Sequence, residues 1–337
     1  MLEKPVLADH SILSSVQDVY GLQVARVTFL PLGADVNTAV YRVDSMDKTA
    51  YFLKLRKGNF AEITVTLPLF LKAQGIQAIL APLKTRDRQF WTELDAYKVV
   101  LYPFVEGKNG YEAALSDSQW VDFGAALKAI HSTLLPPELA RLIQPETYSP
   151  HYRELVKVFQ AQAEKTTFDD PAAAKLAEFM RSRRSEIDAL VAHADQLGRN
   201  LQARSPHLVL CHSDIHAGNL LLGAKDALYI VDWDNPIFAP KELDLAMVGG
   251  STIWNSARQE ALFYQGYGQV KIDPAALAYY RYERIILDIA EFCKQLFLTT
   301  EGGVDREQSY QYFTSNFLPN HEVEIAFKTD KSQAYHH

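Results

Sequence analysis

Cysteine is scarce in this chain: Cys211 and Cys293 are the only two among 337 residues, and each sits inside an apolar run. Two cysteines cannot build a disulfide framework, so the expected compartment is reducing and cytoplasmic. The opening residues, MLEKPVLADH, lack the apolar core of a secretory signal. No apolar run approaches the roughly 20 residues that span a membrane, so no membrane partner is expected. Basic charge is not in excess. Lys and Arg number 34 against 41 Asp and Glu, a net charge of −7, which leaves no broad basic face for nucleic acid. The same balance suits a cationic ligand. Repeats and low-complexity tracts are missing, and nothing marks an obligate protein partner. What remains is a chain with 48% hydrophobic residues, enough apolar material for two lobes.

The densest cluster of polar residues between apolar strands is LVLCHSDIHAGNLLLGAKDALYIVDWD, residues 208–234. An apolar run ends in His212-Ser213-Asp214. Asn219 follows five positions after Asp214, then a short hairpin, then Asp232-Trp233-Asp234 at the end of a strand. A carboxylate, a carboxamide and a second carboxylate in that order suit phosphoryl transfer. Asp214 accepts the proton of an attacking hydroxyl, while Asn219 and Asp232 hold Mg²⁺ against nucleotide phosphates. Cys211, beside this loop, reads as a small core residue rather than a nucleophile.

With His212-x-Asp214-x-x-x-x-Asn219, Asp232-Trp233-Asp234 and the following Ala239-Pro240-Lys241-Glu242-Leu243-Asp244-Leu245, the chain resembles the aminoglycoside phosphotransferase family, and within it the spectinomycin phosphotransferases. The resemblance implies an α+β, bilobal protein-kinase-like fold, with an antiparallel N-lobe sheet and a mainly helical C-lobe. It implies ATP or GTP and Mg²⁺ as cofactors. It also implies that Asp244 ties down the backbone of the catalytic loop, where His212 packs and supports the same backbone.

Earlier in the chain, strand patterns at 23–30, 39–44 and 50–56 follow a helix at 8–20 that Gly21 ends. Lys54 lies between Leu53 and Leu55 in the third strand. A charge in that setting needs a partner or solvent; the alternatives are nucleotide phosphates and the wet face of the sheet. The turn 31–38 carries one glycine, Gly33, so Asp35, Asn37 and Thr38 are the expected side-chain contacts to a triphosphate. A helix over 59–74, with Pro68 inside it, resembles the regulatory helix of a kinase N-lobe and offers Glu62 as the partner of Lys54. Otherwise Glu62 is an exposed first-turn acid. Further strands are expected at 77–84 and 87–92. The strand 97–105 then resembles the family's hinge, which implies base contacts around Tyr102, Phe104 and Val105. Glu106-Gly107-Lys108-Asn109-Gly110 breaks the pattern, placing the boundary between a nucleotide-binding lobe, 1–105, and a catalytic and substrate-binding lobe, 106–337.

In the second lobe, Ser116-x-x-Gln119 is a capping box that opens a helix, and Ser149-Pro150 reads as the cap and first residue of another. Residues 172–196 give one long amphipathic pattern, and 274–299 a long helix. Asp234, with Glu283, Asp288 and Glu291 on that last helix, could attract a cationic substrate; a solvated charge face is the plain alternative.

Ser213 stands where a protein kinase has Arg, and the stretch from Asp232 to Asp244 is too short for a peptide-binding activation loop. The expected substrate is therefore small, and by the resemblance an aminoglycoside or aminocyclitol such as spectinomycin. Two rivals stand beside it: a metabolic small-alcohol kinase of the choline, homoserine or methylthioribose type, and a non-catalytic nucleotide-binding protein.

Overall fold

The alternating segment around Lys54 becomes the middle strand of a five-stranded antiparallel sheet. The structure is a computed structural model and describes residues 4–33, 37–300 and 303–333. The helix α1 (Asp9–Tyr20) ends at Gly21, whose φ of +74° is the left-handed cap that glycine adopts freely. Strands β1 (Val24–Leu30), β2 (Thr38–Ser45) and β3 (Ala50–Lys57) follow. Then come α2 (Ile63–Ala73), β4 (Thr92–Leu94) and β5 (Tyr97–Pro103). The spatial order is β1-β2-β3-β5-β4. Side chains alternate across a strand. Leu53 and Leu55 are therefore buried with Tyr41, Val43, Val99 and Leu101 under Ile12 and Val16 of α1. Phe52, Lys54 and Arg56 take the opposite face.

By internal packing the chain falls into two units. The first comprises Met1–Gln144, Asp214–Pro236 and Leu262–Gly268; the second comprises Pro145–Ser213, Ile237–Ala261 and Gln269–His337. The first unit thus holds both the N-terminal sheet and the segment from Asp214 to Asp234. It also contains β6 (Gly107–Asn109) and α3 (Asp117–His131), which opens with the expected capping box at Ser116 and Gln119. The short α4 (Pro137–Ala140) closes this stretch.

The second unit is helical: α5 (His151–Lys165), α6 (Pro171–Ser182) and α7 (Arg184–Arg204) lead to β7 (Val209–Cys211). In the first unit β8 (Leu220–Gly223) and β9 (Leu228–Ile230) form a hairpin, with β6 paired to β8. Then β10 (Ile237–Ala239) pairs with β7 in the second unit, before α8 (Glu242–Leu245) and α9 (Ala257–Tyr267). Last are α10 (Pro274–Leu298), α11 (Gly303–Ser315) and α12 (Glu322–Gln333). The α10 helix carries Tyr282, Ile285, Ile286 and Ile289 into a core shared with α5, α6 and α7.

Several sequence expectations need correction. Residues 77–84 and 87–92 are not strands. Ile79 makes an isolated bridge to Ile230, and β4 begins at Thr92. The pattern at 172–196 is two helices that change direction at Arg183. Pro150 is the N-cap of α5 rather than its first residue. Among the described residues, no helix is long and apolar enough to cross a membrane.

Candidate active site

The hairpin of β8 and β9 sets the site. Leu220 pairs with Ile230, which brings the residue before β8, Asn219, beside the residues after β9. The Val231 N–H donates to the Asn219 carbonyl at 3.0 Å, and the Ile230 N–H donates to the Ala78 carbonyl at 2.8 Å. Asp232 follows with φ of +68°, a left-handed conformation that Asp tolerates better than most residues. The buried Trp233 anchors this bend, its indole N–H donating to the Ile230 carbonyl at 3.2 Å.

Two groups of side chains assemble around this frame. In the first, the Asn219 amide donates to the Asp214 carbonyl at 2.9 Å and to its carboxylate Oδ2 at 3.1 Å. His216 adds to it. The Gly218 N–H donates to His216 Nδ1 at 3.0 Å, so Nε2 carries the proton of the neutral ring. That nitrogen lies 3.5 Å from Asp214 Oδ2. Oδ2 is thus held by the carboxamide and faced by the imidazole. His216 also stacks on Tyr111, with centroids 5.9 Å apart.

In the second group, Lys54 reaches the bend after β9. Its ammonium donates to Asp232 Oδ1 at 2.7 Å and to both Asp234 oxygens at 2.9 Å. Arg56, two residues along the same face of β3, lies 2.5 Å from Asp234 Oδ2. Burial alone would lower the Lys54 pKa, but the charges of Asp232 and Asp234 outweigh it, and the net shift is upward. Burial pushes the Tyr102 phenol up, with the nearby Lys54 charge acting the other way.

The backbone before Asp214 is fixed by a buried carboxylate within the second unit. Asp244 accepts the His212 N–H at 2.7 Å and the Ser213 N–H at 2.8 Å. Ser213 is left-handed, with φ of +74°, and the bond to Asp244 helps hold a conformation that L residues avoid. Cys211 is buried, and burial pushes its thiol well above the ordinary range.

The other sequence candidates scatter. Glu62 does not hold Lys54: it is exposed at the N-cap of α2, and the carboxylates bound to Lys54 are Asp232 and Asp234. Asp35 lies outside the described residues. Asn37 is exposed, its carbonyl accepting from the Lys57 N–H at 2.9 Å. Thr38 sits opposite Arg56 in the β2–β3 register. The Phe104 N–H donates to the Ala50 carbonyl at 3.2 Å, so it is already committed to the sheet, and the Phe104 ring lies under the Arg42 guanidinium. Val105 packs close to Gly223. In the second unit Glu283 pairs with Arg153, Asp288 with Arg284 at 3.3 Å and Glu291 with Lys294 at 2.7 Å.

Sequence reasoning does not single out Arg56, and it counts His216 in the polar cluster without giving it a role. The signal for Arg56 was present: in a period-two strand, a cation two residues after Lys54 must share its face.

The oxygens on hand are those a small hard cation prefers. The Asn219 amide nitrogen is spent on Asp214, which leaves its carbonyl Oδ1 to act as a ligand, and the backbone bond from Val231 to Asn219 brings the chain just before Asp232 alongside it. The donor set therefore fits Mg²⁺.

An antiparallel sheet, a helical second unit and a loop carrying Asp214, Asn219 and Asp232 define a kinase-like phosphotransferase. The model of the phosphotransferase enzyme family matches residues 28–280, and the chain belongs to that family. Among solved structures it is similar to the spectinomycin phosphotransferase APH(9)-Ia in complex with ADP and spectinomycin. That match has a TM-score of 0.91 at 36% identity, over 97% of this chain and 99% of that one. The AMP-bound complex of APH(9)-Ia matches at a TM-score of 0.86 and 35% identity, over 96% and 99%. A microcompartment-associated aminopropanol kinase shares the fold alone, at a TM-score of 0.63 and 16% identity over 95% and 97%. No curated protein matches the chain.

Proposed function

We propose that this protein transfers the γ-phosphate of ATP or GTP to a hydroxyl of spectinomycin or a closely related cationic aminocyclitol. The observation that carries the reading is the near full-length similarity to an enzyme solved with ADP and spectinomycin. The geometry of the site agrees with it. Asp214, oriented by Asn219 and faced by His216, is placed to align the substrate hydroxyl and take its proton. Asn219 and Asp232 would hold Mg²⁺, which when bound neutralises phosphate charge. Lys54 would leave its carboxylates for the α- and β-phosphates.

In this reading residues 1–105 are the nucleotide-binding lobe and 106–337 the catalytic and substrate-binding lobe. Asn37 and Thr38 border the triphosphate. The base lies along Tyr102, Phe104 and Val105. Since the Phe104 N–H is spent on Ala50, polar readout of the base falls on neighbouring backbone groups. Glu283, Asp288 and Glu291 are candidates for the substrate's amines, and each would have to release its present cation. Glu283 would lose most, because its partner Arg153 is buried. The protein acts in the cytoplasm without a required protein partner.

The test is phosphate transfer from labelled ATP or GTP, with Mg²⁺, to spectinomycin, other aminoglycosides, choline and homoserine. Labelled spectinomycin is the expected product. Transfer to choline or homoserine alone would replace the antibiotic with a metabolic alcohol.

A further inference from the structure

Two cations of β3 and two carboxylates of the bend after β9 form one cluster. Asp232 binds Lys54, and Asp234 binds both Lys54 and Arg56. Lys54, Arg56 and Asp234 are each no more than about a quarter exposed: their side-chain accessibilities are 15%, 24% and 21%. Asp232 is 45% exposed, so its bond to Lys54 is the one solvent or a ligand displaces most readily. Asp234 is the only ion-pair partner of Arg56 among the described residues.

From this arrangement we infer that Arg56 is a positioning residue that keeps Asp234 from competing with nucleotide phosphate for Lys54. The inference rests on the phosphotransferase reading, in which Lys54 moves to phosphate. The Lys54 ammonium has three donors, and Asp234 already engages them with both oxygens beside Asp232. A carboxylate inside a phosphate site repels the incoming anion and retains the cation meant for it. The Arg56 guanidinium is always charged and presents several donors. It neutralises Asp234 after Lys54 departs, so the departure leaves no partly buried unpaired carboxylate. It also keeps the 232–234 bend attached to β3 while Asp232 turns to other work.

The expected consequences have opposite signs at the two residues. Arg56→Gln leaves Asp234 with Lys54 as its one counter-ion, so ADP binding without metal weakens by about tenfold. Asp234→Asn removes the competitor, and metal-free ADP binds more tightly than to wild type. The double variant Arg56→Gln/Asp234→Asn recovers most of the affinity lost in Arg56→Gln. Arg56→Lys, which keeps the charge and loses the fork, falls between wild type and Arg56→Gln.

Titration calorimetry with ADP reads all four variants against wild type, with thermal melts to establish that each is folded. Recovery in the double variant overturns a merely structural role, because two structural losses would add. Equal affinity of Arg56→Gln and wild type, or a double variant no better than Arg56→Gln, overturns the inference and leaves the phosphotransferase reading intact. Should Arg56→Gln fail to fold, weaker ADP binding by Asp234→Asn than by wild type overturns it. A wild-type protein that binds no ADP removes both.

Discussion

Lys54 and Arg153 are both cations ringed by carboxylates, yet their surroundings differ. Lys54 sits in the first unit among Asp232 and Asp234, with one of these acids nearly half exposed. Arg153 sits in the second unit at 3% exposure. It pairs with Glu283, lies 2.7 Å from Asp195 and donates to the Tyr148 carbonyl at 2.9 Å and the Tyr279 hydroxyl at 3.3 Å. Burial alone would lower the Arg153 pKa, but Glu283 and Tyr279 outweigh it and hold the guanidinium charged. A cation enclosed by fixed partners serves the fold. A cation with a half-exposed partner is free to exchange it, which is the role proposed for Lys54 toward phosphate. Exposure and the ease of replacing a partner separate the two, although both look the same in a count of ion pairs.

The comparison breaks if the two regions respond alike to substitution. The largest effect is expected at Asp214. Asp214→Asn should lower kcat by about 10²–10⁴-fold while the melting temperature stays near wild type. Steady-state kinetics and calorimetry check both halves of this statement. Arg153→Ala should do the reverse. Removing the buried cation takes from Glu283 its counter-ion and leaves Asp195 with Lys157 alone, and the fold should lose about 3–5 kcal/mol in denaturant titrations.

A smaller effect is expected from pH. Burial lifts the Glu283 carboxyl from 4.5 to about 7, against the pull of Arg153. Between these values the folded protein holds more proton than the unfolded chain, so stability falls as pH rises through the window. Glu283→Gln should flatten that slope, as measured by denaturation at several pH values from below 4.5 to above 7. The smallest effect is expected at Ser213. Glycine relieves its left-handed backbone but has more chain entropy to lose, so Ser213→Gly should stay within about 1 kcal/mol of wild type. Ser213→Val should be clearly less stable, because a β-branched side chain is poorly suited to φ of +74°.

The proposed catalytic stretch was legible in the sequence because its residues are close along the chain. Asn219 and Asp232 flank one hairpin of two short strands, and Asp214 lies five residues before Asn219 and bonds to it. Lys54 was legible because a charge between Leu53 and Leu55 needs an explanation. Its partner was not. Glu62 was the natural candidate if α2 turned its first residue toward the sheet, but α2 starts at Ile63 and leaves Glu62 exposed. Asp234, 180 residues from Lys54, fills that place, and contact over such a separation is invisible to local pattern. The apolar run around Ile79 looked like a strand because periodicity reports burial rather than pairing; it is buried with a single bridge to Ile230. The break at Arg183 has neither Gly nor Pro to mark it, so two helices read as one.

A crystal structure of the protein with ADP and Mg²⁺ tests the central claim most directly. Lys54 Nζ should lie on the phosphates, Asn219 and Asp232 on the ion, and Arg56 should still be bound to Asp234. Nucleotide bound away from these residues, or Lys54 still held by both Asp232 and Asp234 with nucleotide present, would contradict it.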